Sequence, residues 1–366
     1  MNKLGFGFLR LPTTDQPIPD HYNWAILKEM VDLYLASGHN YFDTAYTYLD
    51  GWSEIGLREC LVKRHPRASF RIADKLPGYK CHTYDDCRKF FNEQLTRCGV
   101  DFFDVYLLHW LNAKHYEIAE SIDEFRFLRE LKAQGLAKKI GFSYHDSAAL
   151  LDKILSAHPE VDIVQLQINY LDWESEGVQS RKCYEVCVAH GKSVVVMEPV
   201  KGGTLARLPE DAEAVLRSIH PDWCNAAWAL RFASALPQVE VVLSGMNTVA
   251  QMTDNLTEFS PLTDDEKSVL LSAAAIISKD TAVSCTGCRY CVAHCPQSLP
   301  IPDYFKLYNE IRRFPMDDWK IKPAYVQASL GYGKASDCIA CGACMSHCPQ
   351  KIKIPERMRE AAAALE

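Results

Sequence analysis

Asp104-Val-Tyr-Leu-Leu-His109 is a short apolar run, Lys139-Ile-Gly-Phe-Ser143 is another, and between them Ser121 to Gln134 repeats its apolar residues at the helical period. A strand, a helix and a second strand in that order read as a unit with parallel strands. The same alternation runs outward in both directions. Further strands are read at Lys3 to Phe6, Tyr41 to Asp43, Phe70 to Lys75, Ile163 to Ile168, Ser193 to Met197 and Val239 to Ser244. Helical patterns at Trp24 to Ala36, Asp85 to Cys98 and Gly177 to His190 fall between them. Eight such units in roughly 260 residues predict an α/β fold, a closed (β/α)8 TIM barrel, with an open doubly wound sheet as the alternative. No glycine-rich dinucleotide fingerprint follows an early strand, which weighs against the open sheet. After Pro261 the run Leu-Thr-Asp-Asp-Glu-Lys starts a capped helix, so domains are expected at 1–262 and 263–366.

At 366 residues and 48% hydrophobic, the chain can bury two cores. The start Met1-Asn-Lys-Leu-Gly-Phe-Gly-Phe-Leu-Arg10 carries no signal-peptide pattern and no run reaches membrane-span length, so a cytoplasmic protein without a membrane partner is expected. A net charge of −7 disfavours a nucleic-acid footprint. Oligomeric state is not readable.

The C-terminal part is dominated by a repeat. Cys285-Thr-Gly-Cys288-Arg-Tyr-Cys291-Val-Ala-His-Cys295-Pro296 recurs, spacing for spacing, as Cys338-Ile-Ala-Cys341-Gly-Ala-Cys344-Met-Ser-His-Cys348-Pro349. Three thiolates spaced by two residues wrap one face of an iron–sulfur cube, and the fourth, followed by proline, reaches to the neighbouring cube. One [4Fe–4S] cluster is therefore expected on Cys285, Cys288, Cys291 and Cys348, and a second on Cys338, Cys341, Cys344 and Cys295. Zinc and disulfides fit less well, since structural zinc sites use separated ligand pairs. The segment resembles bacterial-type two-cluster ferredoxin modules, here with a 42-residue insertion between Cys295 and Cys338 that should form helices. The domain is expected to be mainly helical. The other seven of the 15 cysteines read as free, mainly buried thiols.

Polar residues cluster at the carboxyl ends of the early strands, where a barrel builds its active site. Asp43-Thr-Ala-Tyr-Thr-Tyr48, Ile72-Ala-Asp-Lys75-Leu-Pro, Tyr106-Leu-Leu-His109 and Gly141-Phe-Ser143 resemble the aldo-keto reductase family over about residues 4 to 260. The resemblance implies Tyr48 as general acid, supported by Lys75, Asp43 and His109. Lys75 beside Tyr48 is expected to lower the phenol pKa from about 10, Asp43 to hold the ammonium, and His109 to orient the substrate oxygen. Singly, each has an ordinary structural explanation: a turn cap for Asp43, a solvated strand end for Lys75, a core histidine for His109.

The resemblance also implies a nicotinamide site. Ser143 and Gln165 match the residues that bind the carboxamide. Met197 stands where many members stack an aromatic on the nicotinamide, and Pro199, Lys201, Gly202 and Gly203 match the loop passing the pyrophosphate. Ser244, Gln251 and Asn255 occupy the adenosine end. Gln251 replaces the cation that an adenosine 2′-phosphate prefers, which leans towards NAD(H) over NADP(H). Tyr144 and His145 adjoin Ser143 and suit the substrate mouth or the core. The expected function is hydride transfer between nicotinamide and a small carbonyl or alcohol. Nicotinamide moves two electrons and each cluster one, so exchange between them needs an intermediary such as flavin, for which no motif is read. Electron transfer with a carrier protein is the favoured cluster role; scaffolding and redox sensing remain. The alternative function is an electron-transfer or redox-sensing subunit with a nicotinamide-binding barrel of low turnover.

Overall fold

A computed structural model describes residues 3–14, 16, 20–256, 260–313 and 318–366. Eight strands, β1 (Leu4–Gly7), β2 (Tyr41–Asp43), β3 (Arg71–Leu76), β4 (Phe103–Leu111), β5 (Ala137–Tyr144), β6 (Ile163–Gln167), β7 (Ser193–Met197) and β8 (Val239–Ser244), close in sequence order into a parallel barrel. Leu4, Gly5 and Phe6 of β1 register with Val242, Leu243 and Ser244 of β8, which seals the ring. The open-sheet alternative is thereby excluded. Its interior is filled by Tyr41, Ala73, Val105, Leu107, Ile163, Val195, Val241 and Leu243, the packed side-chain layers that make such a barrel solid.

Through β8 the helices are α1 (Trp24–Ala36), α2 (Trp52–Leu57), α3 (Tyr84–Cys98), α4 (Ala113–Ser121), α5 (Glu124–Ala133), α6 (Ala148–Ala157), α7 (Ser180–Ala189), α8 (Glu210–Arg217) and α9 (Asn225–Ser234); α10 (Val249–Asn255) follows. The helix expected at Ser121 to Gln134 is α5, which starts three residues later, Ser121 being the end of α4. Asp123 adopts φ 59°, ψ 40°, a left-handed turn that breaks the i to i+4 ladder, and α5 starts only at Glu124. Gln179, at φ 56°, likewise delays α7 beyond the expected Gly177.

The chain divides into two compact units. One comprises residues 1–169, 179–199 and 229–261; the other comprises 170–178, 200–228 and 262–366. The loops after β6 and β7 thus belong with the cysteine module. That second unit holds α11 (Asp264–Asp280), α12 (Ile301–Arg313), α13 (Asp318–Ser329) and α14 (Ile354–Leu365). The insertion between the motifs supplies α12 and α13, and Tyr304, Phe305, Leu307, Tyr308, Ile321 and Tyr325 bury themselves in one core with Cys291, Cys344 and Met358. Asn309 exchanges two hydrogen bonds with the backbone of Val283, at 2.8 and 2.7 Å, and so ties α12 to the start of the first motif. The sequence repeat becomes a backbone repeat. Left-handed φ recurs at matched positions, Gly287 with Ala340, Arg289 with Gly342 and Ser298 with Lys351.

Candidate active site and cluster cavities

β2, β3 and β4 carry Asp43, Lys75 and His109 at or near their carboxyl ends, all buried. Lys75 Nζ donates to Asp43 Oδ1 and to the Thr44 carbonyl, each at 2.7 Å. Tyr48 follows β2 on a strained turn in which Leu49 and Asp50 both sit at φ 53°. Its ring lies 4.7 Å from Lys75 Nζ and meets His109 edge-on with centroids 5.6 Å apart. The four residues therefore converge.

Their electrostatics differ from the sequence expectation in one respect. Burial, followed by the carboxylate of Asp43, holds the Tyr48 phenol well above its ordinary value instead of lowering it. The physical reason is that Lys75 spends its hydrogen bonds on Asp43 and Thr44 and faces the tyrosine ring. Tyr48 is thus kept in the protonated form a proton donor needs. Burial, then Lys75, drives His109 well below the usual imidazole range, so it is a neutral ring. Burial raises Asp43 while Lys75 opposes it.

Behind Lys75 lies a network that no motif announced. Asp74 Oδ1 accepts from the Lys75 N–H at 2.8 Å and from Gln94 Nε2 at 2.7 Å, while Gln94 Oε1 accepts from the Tyr106 hydroxyl at 2.6 Å. It fixes the strand end from which Lys75 projects. Tyr79, after β3, was also missed. It stacks on His115 at 5.1 Å, lies 6.1 Å from the His109 ring, and its hydroxyl donates to Thr47 at 3.4 Å. Lys75→Met should destabilise the protein by about 3–5 kcal/mol, because it strands a buried carboxylate, and Asn at position 43 in the same chain should recover much of that loss. Urea unfolding checks this; a single variant within about 1 kcal/mol of the wild type contradicts it.

The residues matched to nicotinamide divide into several groups. Ser143 Oγ accepts from the Trp110 N–H at 2.7 Å, and Gln165, on the adjacent β6, buries an Oε1 that has no hydrogen-bond partner among the described residues. An orphaned acceptor there fits a ligand amide. Met197 is half-buried and Pro199 buried. Lys201 is fully buried, with its ammonium 2.6 Å from both Asp172 oxygens and 3.2 Å from Gln350 Oε1. Its charge is already neutralised by Asp172, which argues against Lys201 as an anion ligand at this loop. Gly202, at φ 63°, presses on the Thr286 carbonyl so closely that a Cβ would fall 2.1 Å from the oxygen, whereas a Cβ at Gly203 would meet no described atom within 4 Å. Asn255 donates to Ser244 Oγ at 2.9 Å, and exposed Gln251 accepts from the Asn247 N–H at 2.8 Å. Tyr144 is buried and its hydroxyl donates to the Ser147 carbonyl at 2.7 Å, while burial lowers His145 to about 3.

Two cavities, each with about 310 Å³ of non-protein space, sort the cysteines. Cys285, Cys288, Cys291 and Cys348 line one; Cys338, Cys341, Cys344 and Cys295 line the other. These are the crossed sets that the repeat predicts. Around one zinc ion, with bonds of about 2.3 Å, tetrahedral sulfurs would lie about 3.8 Å apart. Among the described residues, no three motif cysteines bring their sulfurs within 4.8 Å of one another, which fits a larger four-iron cube better than a single ion.

Residues 3–274 match the Aldo/keto reductase family, and residues 284–352 match the 4Fe-4S dicluster domain. A similar curated protein is the NADH-specific methylglyoxal reductase of Escherichia coli, 27% identical over 187 residues; the match covers 46% of this chain and 54% of that enzyme's length. An uncharacterized oxidoreductase of Bacillus subtilis is 24% identical over 68% of this chain and 86% of its own length. The holo aldo-keto reductase of Bacillus halodurans superposes with TM-score 0.60 at 25% identity, covering 74% of this chain and 91% of that one. An aldo/keto reductase of Klebsiella pneumoniae in complex with NADP and acetate shares the fold at 16% identity and TM-score 0.59, over 76% and 92% of the two chains.

Proposed function

Since the chain belongs to the aldo/keto reductase family and carries a 4Fe-4S dicluster domain, we propose that it reduces small carbonyl compounds with a nicotinamide cofactor, and oxidises the alcohols in reverse, using Tyr48 as the acid. The observation that carries this reading is the convergence of Tyr48, Lys75, Asp43 and His109 at the ends of β2, β3 and β4. Bound nicotinamide supplies a hydride to the carbonyl carbon. Tyr48 Oη gives its proton to the oxygen that becomes the alcohol. His109, neutral, offers a ring N–H that aligns that oxygen, and Lys75, locked to Asp43, places positive potential beside it. Gln165 and Ser143 are suited to hold the carboxamide. The absence of a cation at Gln251 favours NAD(H), in keeping with the NADH specificity in the name of the Escherichia coli relative. NADH oxidation screened against small aldehydes and ketones tests the reading. Tight cofactor binding with no turnover on any of them would support the low-turnover redox subunit instead.

Two [4Fe–4S] clusters are assigned to the two cysteine sets, in a domain proposed to begin near residue 263. When bound they supply one-electron capacity, which we assign to exchange with a carrier protein in the cytoplasm. Protein purified without oxygen should be brown and hold about eight iron and eight acid-labile sulfide per chain, the colour bleaching in air. Motifs loaded with zinc and lacking sulfide would defeat the assignment.

A further inference from the structure

Cys81, Cys87 and Glu124 come from the loop after β3, the start of α3 and the first turn of α5, and they meet. One ligand atom from each lies within 4.8 Å of the other two. All three are buried, with exposures of 3%, 0% and 2%. Among the described residues, Glu124 Oε1 has no hydrogen-bond partner. Its carboxylate is wedged against Gly78, where a Cβ would fall 2.3 Å from Oε1. The thiols touch each other and make long contacts to backbone, Cys81 to the Pro77 carbonyl at 3.9 Å and Cys87 to the Thr83 carbonyl at 4.0 Å.

A buried carboxyl group without a partner is costly, so its retention calls for a ligand. The hydrogen bond with Cys87, then burial, raises the Cys81 thiol, with Glu124 and Asp86 adding to it, and burial alone pushes Glu124 up to about 8. Among the described residues, no cation is recorded acting on this group. The other buried acid–thiol group, Glu54, Asp74 and Cys98, already has one, because Arg97 Nη1 lies 3.0 Å from Glu54. A disulfide between Cys81 and Cys87 would leave the carboxyl unanswered.

We propose that Cys81, Cys87 and Glu124 bind a thiophilic divalent cation of the Zn2+ class, separate from the iron–sulfur cysteines. Two thiolates and one carboxylate match the donors zinc prefers, at about 2.3 Å for sulfur and 2.0–2.2 Å for oxygen, with water in the fourth position. Binding exchanges the thiol and carboxyl protons for the metal. The cation braces the loop from Pro77 to Thr83 against α5. That loop carries Tyr79 to the side of His109, so the site stabilises one wall of the candidate active site.

The test uses the full chain, purified without oxygen, exposed to Zn2+ and then freed of loose metal by gel filtration. Iron and zinc are counted together, and anomalous scattering at the zinc edge locates the ion in crystals. Expected are about one zinc beside about eight iron, and a zinc peak among Cys81, Cys87 and Glu124. Cys87→Ser should lose at least four-fifths of the zinc with its iron intact, and the near-isosteric Glu124→Gln should weaken zinc binding tenfold or more. No zinc on fully iron-loaded protein overturns the proposal. Equally decisive against it are zinc retained by both variants, a zinc peak only at motif cysteines, or a Cys81–Cys87 disulfide in the anaerobic protein.

Discussion

Tyr48→Phe should lower carbonyl reduction by about two to four orders of magnitude while leaving nicotinamide affinity nearly unchanged, because it removes one hydroxyl and keeps the ring. The ring has its own structural work: it faces Lys75 Nζ at 4.7 Å and packs edge-on against His109. Phenylalanine preserves both contacts, so a folding defect is not expected to mimic the loss. The pH profile provides a second reading. Tyr48 is held above the ordinary phenol pKa, so the acid form persists through neutrality and the reductive rate should fall only above about pH 10. His109 is pushed below the usual imidazole range and should produce no break near pH 6.5. Steady-state kinetics over pH, with cofactor binding followed by fluorescence, checks both. Turnover within about threefold of wild type would end the proton-donor role.

What was legible in the chain is what is written locally. The strands at Tyr41–Asp43, Ser193–Met197 and Val239–Ser244 fall where the apolar runs put them, because a buried parallel strand needs a continuous run of β-branched or aromatic residues. The cysteine repeat, with proline after each fourth Cys, points to a crossed pairing, and each cavity is lined by one of those crossed sets. The convergence of Tyr48, Lys75, Asp43 and His109 was readable because a barrel gathers the carboxyl ends of its strands. Charge balance was not readable. Lys201 looks like a phosphate ligand until Asp172, twenty-nine residues earlier, is seen to neutralise it. Tyr48 looks acidified by Lys75 until the lysine is found committed to Asp43 and Thr44. The meeting of Cys81 and Cys87 with Glu124 depends on how α3 and α5 pack, and no spacing encodes it.

Cys288→Ala separates the two roles open to the clusters. Cys288 lines one cavity with Cys285, Cys291 and Cys348, so its loss should remove about four of about eight iron. Thr286 and Gln350 line the same cavity, and in the same unit Gly202 presses on Thr286 while Lys201 bonds to Gln350. Disturbing that cavity should therefore loosen the loop after β7, raising the KM for NADH by about three- to tenfold. The chemistry proposed for Tyr48 uses residues of the barrel unit, so kcat at saturating NADH should stay within about twofold. Reduction driven by two equivalents of a one-electron donor such as reduced viologen, with flavin added as the two-electron intermediary, should instead fall by at least about tenfold, since it depends on the cluster itself. A scaffold gives a different pattern, in which kcat with both donors drops in parallel and the melting temperature falls, because cluster binding contributes folding free energy to a unit built around its cysteines. Parallel loss of both activities would reject electron transfer as the role of the module.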